Sequence, residues 1–197
     1  FETIPGAAEK VVYPFGYGLS YTSFDVETVS AGVVNSNCTS EANKLYAKVR
    51  VTNTGKFSGK EVVQVYIAKP QGKLGKPAKE LAAFEKTREL QPGESQLMIL
   101  TWEINDMASY DDLGKVKKSA YVLEAGSYDI YVGTSVRDVT KADYSYILNH
   151  DVITEQLSAK LVPTSLPKRM LADGSYEALP QSEPVDTDYS AIGNIDP

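Results

Sequence analysis

Leu45-Tyr46-Ala47-Lys48-Val49-Arg50-Val51-Thr52 is the stretch whose reading decides the fold. Leu45, Ala47, Val49 and Val51 alternate with Tyr46, Lys48, Arg50 and Thr52, the period of a strand with one face buried and one wet. Asn53-Thr54-Gly55-Lys56 then reads as a turn. The same period recurs downstream. Val63, Val65 and Ile67 make a second strand, ended by Pro70 and the glycine-rich run Gln71 to Pro77. Leu81, Ala83 and Phe84 suggest a shorter third. Pro92-Gly93 suits the central positions of a type II turn, because proline presets the first and glycine accepts positive φ at the second. Met98, Leu100, Trp102 and Ile104 alternate with Leu97, Ile99, Thr101 and Glu103. Both faces are largely apolar there, so this strand is expected at the centre of its sheet. After a turn at Ala125-Gly126, Tyr128, Ile130 and Val132 alternate with Asp129 and Tyr131. Thr22 to Ala31 opens the series and Tyr144 to Leu148 closes it.

About seven short strands separated by turns, with no amphipathic helix among them, point to an all-β sandwich over residues 22–150. A parallel α/β fold would need helical crossovers that this stretch lacks. Residues 1–21 hold Pro14, Gly16 and Gly18 among aromatics and read as an irregular N-terminal loop. Residues 151–197 hold Pro163, Pro167, Pro180, Pro184 and Pro197 among scattered acids and read as an extended tail, a linker or arm.

Composition narrows the functional classes. The net charge of −6 is concentrated in the tail: residues 1–150 carry 17 basic and 18 acidic side chains, residues 151–197 carry 3 and 8. The Lys115, Lys117 and Lys118 cluster is too short for a nucleic-acid footprint, so no nucleic acid is expected as a partner. No apolar run is long enough to span a membrane, and no membrane partner is expected. Cys38 is the only cysteine and forms no intrachain disulfide. With no secretory signal evident at Phe1, a cytoplasmic location is favoured over secretion, and the Asn37-Cys38-Thr39 sequon carries little meaning outside a secretory pathway.

The chemistry-bearing residues do not assemble into a site. His150 is the one histidine and adjoins Asp151, but a triad also needs a serine and an oxyanion hole, and no nucleophile-elbow motif is present. One His and one Cys are too few for zinc. Asp106, Asp111 and Asp112 lack calcium-loop spacing and read as turn residues. Phe15-Gly16-Tyr17-Gly18 lacks the third glycine and the following helix of a phosphate loop. Nothing singles out a carboxylate pair of the kind that cleaves glycosides. The expectation is therefore no catalytic residue, no cofactor and no metal ligand. The 13 tyrosines fit half-buried strand faces, or alternatively a carbohydrate-binding module that stacks sugars on Tyr46, Tyr66 or Tyr131.

The segment Tyr13-Pro14-Phe15-Gly16-Tyr17-Gly18-Leu19-Ser20-Tyr21-Thr22 resembles a signature of glycoside hydrolase family 3. There it closes an α/β-sandwich domain and leads into an immunoglobulin/fibronectin type III-like domain. The resemblance continues in register. It takes in Val51-Thr52-Asn53-Thr54-Gly55-Lys56, then Gly59-Lys60-Glu61-Val62-Val63-Gln64-Val65-Tyr66. Further blocks are Lys79-Glu80-Leu81, Phe84-Glu85-Lys86, Leu90-Gln91-Pro92-Gly93-Glu94-Ser95, and Gly126 to Ser135 with Arg137-Asp138. It covers about residues 11–148.

The resemblance implies that residues 1–21 end the preceding α/β-sandwich domain and that residues 22–150 are the fibronectin-like domain. It also implies that residues 151–197 are a linker toward a (β/α)8 barrel, as in permuted bacterial members. The family's nucleophilic aspartate lies in that barrel and its acid/base glutamate in the α/β-sandwich domain, so no residue here inherits either role. The implied function is a non-catalytic structural domain of a bacterial β-glucosidase-like enzyme of carbohydrate metabolism. Its partners would be the catalytic domains of the same protein, with carbohydrate as a further candidate.

Overall fold

A computed structural model describes residues 10–34, 43–158, 168–170 and 175–178. Cys38, its sequon and the prolines of the tail lie outside the described residues. Seven strands form the sandwich. One sheet runs in the order β1 (Phe24–Val33), β2 (Lys44–Asn53), β5 (Ser95–Glu103); the other runs β4 (Glu80–Lys86), β3 (Val62–Ala68), β8 (Gly126–Gly133), β9 (Val139–Leu148). All pairings are antiparallel.

The alternation in the sequence becomes the core. Leu45, Ala47, Val49 and Val51 of β2 are completely buried and face Val63, Val65 and Ile67 of β3 and Ile130 and Val132 of β8 in one apolar cluster. Across β2 and β5, Trp102 stands opposite Leu45, Leu100 opposite Ala47, and Met98 opposite Val49. Leu100 thus stands beside the small Ala47, with the larger Trp102 and Met98 flanking it on the same buried face. The Pro92-Gly93 turn forms as the sequence requires: Glu94 N–H donates to Gln91 O at 2.9 Å, and Gly93 sits at φ +80°.

One expectation is corrected. β5 is not central; among the described residues it pairs only with β2 and ends its sheet. Leu97 and Ile99 on its outer face are 49% and 59% exposed. Apolar β-branched and long side chains suit a pleated strand whether or not a neighbour covers them, so two apolar faces did not amount to two buried ones.

A smaller sheet in the order β10 (Val152–Gln156), β7 (Ala120–Leu123), β6 (Ser109–Asp111) continues one end of the sandwich. A 3-10 turn, Asn105–Met107, leads into it from β5. The first residues of the stretch read as tail, 152–156, are therefore a paired strand. Further on, β11 (Lys168–Met170) pairs with β12 (Tyr176–Ala178), and Lys115 Nζ reaches Glu177 Oε2 at 2.8 Å.

Asp111 closes the loop between β6 and β7. It is fully buried, and Oδ1 accepts the amides of Gly114 and Lys115 while Oδ2 accepts those of Val116 and Lys117, at 2.7–3.0 Å. Burial by itself would raise its pKa, but the four amide donors outweigh it and hold the carboxyl below its usual value. On the other flank, the buried Glu124 carboxylate accepts Lys73 and Leu74 amides and pairs with the Lys76 ammonium. That pair pins the glycine-rich loop to the end of β7.

Asn53 binds the two ends of the sandwich's first half. Its carboxamide donates to Phe57 O at 2.7 Å and Leu90 O at 2.8 Å, and accepts from Thr22 Oγ1 and Gly55 N. Asn53→Ala leaves these buried groups unpaired and is expected to lower unfolding free energy by about 2–4 kcal/mol, read by urea denaturation. A group whose native pKa is depressed adds stability above its unfolded pKa and loses it as pH falls through the native one. The Asp111 contribution should therefore fade as pH drops below about 4. Asp111→Asn, which cannot accept all four amides, should lower stability at neutral pH and flatten that acid limb in Tm measured against pH.

Candidate domain interface

β3 is buried over five consecutive residues, Val63 to Ile67. Val63, Val65 and Ile67 point to the core. Gln64 and Tyr66 point the other way, to the outer face of the four-stranded sheet, where a strand of this class is ordinarily wet. Their cover is the N-terminal loop. Pro14 to Tyr17 make a turn, with Tyr17 N–H donating to Pro14 O at 3.0 Å. The turn sits against the sheet through polar hooks rather than strand pairing.

Gln64 Nε2 donates to Gly16 O at 2.8 Å and to Thr134 O at 2.6 Å. Its Oε1 accepts the Tyr66 hydroxyl at 2.5 Å. Phe15 O accepts Val136 N–H at 3.0 Å. The Phe15 ring meets the Tyr66 ring edge-on, 6.4 Å between centroids and 82° between planes, a favoured aromatic geometry. Burial pushes the Tyr66 hydroxyl pKa up, which keeps it a neutral donor. Gly16 is required twice over: φ is +80°, and a Cβ there would stand 1.9 Å from Gln64 Oε1 and 2.7 Å from the Tyr66 hydroxyl.

Beyond the turn, Thr54 N–H donates to Ser23 O at 2.8 Å, and the Thr22 hydroxyl donates to Asn53. The loop is thus held at both ends to the sandwich, yet its own aromatics look outward. Phe15 is 63% exposed, Tyr13 68% and Leu19 87%, and Tyr13 and Tyr17 rings lie 5.2 Å apart.

The register of β4 extends this surface. Phe84 stands opposite Gln64, and Leu81 opposite Tyr66, so both lie on the outer face beside the loop. Phe84 is 67% exposed. Tyr131, opposite Tyr66 on β8, carries Lys79 Nζ 5.0 Å over its ring. Further along, Asp129 takes Lys141, Ser145 and Ser127, so the far part of the face is polar. Lys141 above all holds the Asp129 carboxyl below its usual pKa. The apolar part of the face therefore spans the loop, β4 and the middle of β3.

The tyrosines considered for sugar stacking are engaged elsewhere. Tyr66 is buried under the loop, which corrects its reading as an exposed platform. Tyr46 lies over Gly32, its register partner on β1. Tyr131 lies beneath Lys79. His150 is exposed, while Asp151 accepts the amide of Ala125 at 2.8 Å. Asp111 serves its own loop, and among the described residues no group of His, Cys, Asp or Glu has metal-site geometry. Phe84 and the hooks Gln64 and Thr134 were not singled out as site residues in the sequence. The only signal for Phe84 is an apolar residue, after Leu81 and Ala83, that breaks the alternation of its strand.

Gly16→Ala is expected to unseat the turn. Unfolding free energy should fall by about 1–3 kcal/mol, and the Val136 amide, bonded to Phe15 O, should lose protection from hydrogen exchange. Unchanged exchange at Val136 would show that the loop is held by something else.

Comparison with known proteins places these features. Residues 61–136 match the fibronectin type III-like domain family. β-Glucosidase A of Butyrivibrio fibrisolvens is 60% identical over 98% of this chain, which spans 24% of that protein. A β-glucosidase of Kluyveromyces marxianus is 42% identical over 66% of the chain, which spans 14% of it. The crystal structure of a β-glucosidase from Paenibacillus barengoltzii superposes with a TM-score of 0.79 at 43% identity, covering 93% of this chain and 21% of that one. The chain thus spans about a quarter or less of the relatives it matches.

Proposed function

This chain belongs to glycoside hydrolase family 3 as its fibronectin type III-like region, and we propose that it serves there as a non-catalytic brace for a β-glucosidase-like parent. The observation that carries the proposal is the outer face of the four-stranded sheet. A loop rich in exposed aromatics is hooked onto it by buried polar groups, and Phe84 and Leu81 extend the apolar area beside it. Exposed apolar surface contiguous over several large side chains marks an interaction site. A rigid mount behind it limits the ordering cost of docking.

In this reading the face packs against the catalytic domains of the same protein, and the parent hydrolyses β-glucosidic bonds with carboxylates that those domains supply. The brace acts on catalysis only through position. Carboxylates on two domains cooperate across a sugar only when the separation between them is fixed. The acidic stretch after Leu157 leads on toward a barrel domain in the same proposal. A cytoplasmic parent is part of the same proposal, and the single cysteine of this stretch, which forms no disulfide within it, is compatible with that location.

Two measurements test the brace. The purified chain is expected to release no nitrophenol from an aryl β-glucoside; measurable turnover would overturn the proposal. Phe84→Ser should change the stability of this chain by less than about 0.5 kcal/mol, since the side chain is mostly exposed. In the whole parent the same change should lower Tm and kcat together. An equally small effect in both settings would remove Phe84 from the interface.

A further inference from the structure

The small sheet presents a second surface, at the end of the sandwich, that the brace does not use. Tyr110 of β6 and Glu155 of β10 each stand opposite Tyr121 of β7, so the three share one face. The rings of Tyr110 and Tyr121 lie 5.5 Å apart, tilted by 58°, and are 43% and 38% exposed. Tyr121, but not Tyr110, borders a groove of about 400 Å³ whose other lining residues are Asn105, Asp106, Ala108, Thr154 and Glu155. The 3-10 turn supplies Asn105 and Asp106, and the bulge in β10 between Ile153 and Glu155 supplies Thr154.

The polar groups of this groove differ from Asp111, Glu124 and Asp129 in what they do. Asp111 is taken by four amides, Glu124 by Lys76 and two amides, and Asp129 by Lys141 and two hydroxyls. The side chains of Asn105, Asp106 and Glu155 make no hydrogen bond or ion pair among the described residues. They are therefore available to a ligand. They offer two carboxylates, and no group of three or more His, Cys, Asp or Glu that could hold a metal ion occurs among the described residues; two carboxylates in one groove repel an anionic ligand. An aromatic platform beside unspent acceptors suits a ligand with an apolar C–H face and a rim of hydroxyl donors.

We propose that this groove binds a neutral oligosaccharide. One pyranose ring lies on Tyr121, which Tyr110 supports from the side, and its hydroxyls donate to the carboxylates of Asp106 and Glu155 and to the Asn105 carbonyl. The groove and the interface face approach each other at Asp106, which also lines a smaller cavity together with Leu81, whereas Phe84 lines neither cavity. The choice of a β-linked glucose oligomer as probe rests on the reading of the parent enzyme; the groove itself does not.

Calorimetric titration of the whole 197-residue chain with cellotetraose tests the proposal. Saturable binding is expected. Tyr121→Ala should weaken it by about tenfold or more, as loss of one stacked ring does. Asp106→Asn and Glu155→Gln, which keep shape and remove the charged acceptor, should each weaken it by about threefold. Oligogalacturonate, the anionic control, should not bind. Absence of saturable heat with about 10 mM cellotetraose, a range that still detects weak complexes, would overturn the site. So would binding that Tyr121→Ala leaves unchanged while circular dichroism shows the fold intact, or equal binding of the anionic control. Phe84→Ser is expected to leave the titration unaltered, so failure of the groove and failure of the brace are read in separate experiments.

Discussion

Burial of β3 on both faces is the constraint on which the rest of this domain depends. The inner face follows from Val63, Val65 and Ile67 packing on β2 and β8, the ordinary consequence of alternation. The outer face needs a cover, because Gln64 and Tyr66 cannot be removed from water unless their polar atoms find partners. Gly16 O, Thr134 O and the Gln64–Tyr66 pair itself supply those partners. The loop is thereby fixed as part of the sheet's surface. Its aromatics and Phe84 then form the margin that another domain can meet.

Much of the sandwich was legible because alternation is a local signal. Leu45 to Thr52 sets which side chains face inward without reference to any distant residue, and the structure buries that set completely. Gln91 to Ser95 was legible for the same reason, since a proline followed by a glycine fixes a turn by their own dihedral limits. Strand order is another matter. Leu97 and Ile99 are apolar yet exposed, and apolar character at a pleated position reports strand preference as much as burial. The position of β5 at a sheet edge is decided by what pairs with it, and that is not written in its own residues.

The small sheet and the polar hooks were less legible on physical grounds. β6 and β7 span three and four residues, too short for a period of two to stand out. Gln64 finds Gly16 and Thr134 at separations of 48 and 70 residues, and Glu124 finds Lys73 at 51. No window along the chain contains both ends of such a bond. The loop of the candidate interface was legible through resemblance, from Tyr13 to Thr22. Its reach onto β4 was not, because Phe84 joins the surface only through its register with Gln64. The tyrosine pair of the groove has no local signature, because Tyr110 and Tyr121 become neighbours only across the β6–β7 ladder.

The separation of the hook's members also sets an order of events during synthesis. A ribosome delivers Phe15 and Gly16 long before Gln64, and Thr134 and Val136 later still. The loop therefore waits, its aromatics undocked, while the strands it will cover are still being made. Contacts this distant in sequence form late, after local hairpins have limited the search. Premature capture of the loop by another part of a growing polypeptide is the hazard this timing creates, and the Gln64 carboxamide, bridging both ends at once, is the latch that closes it.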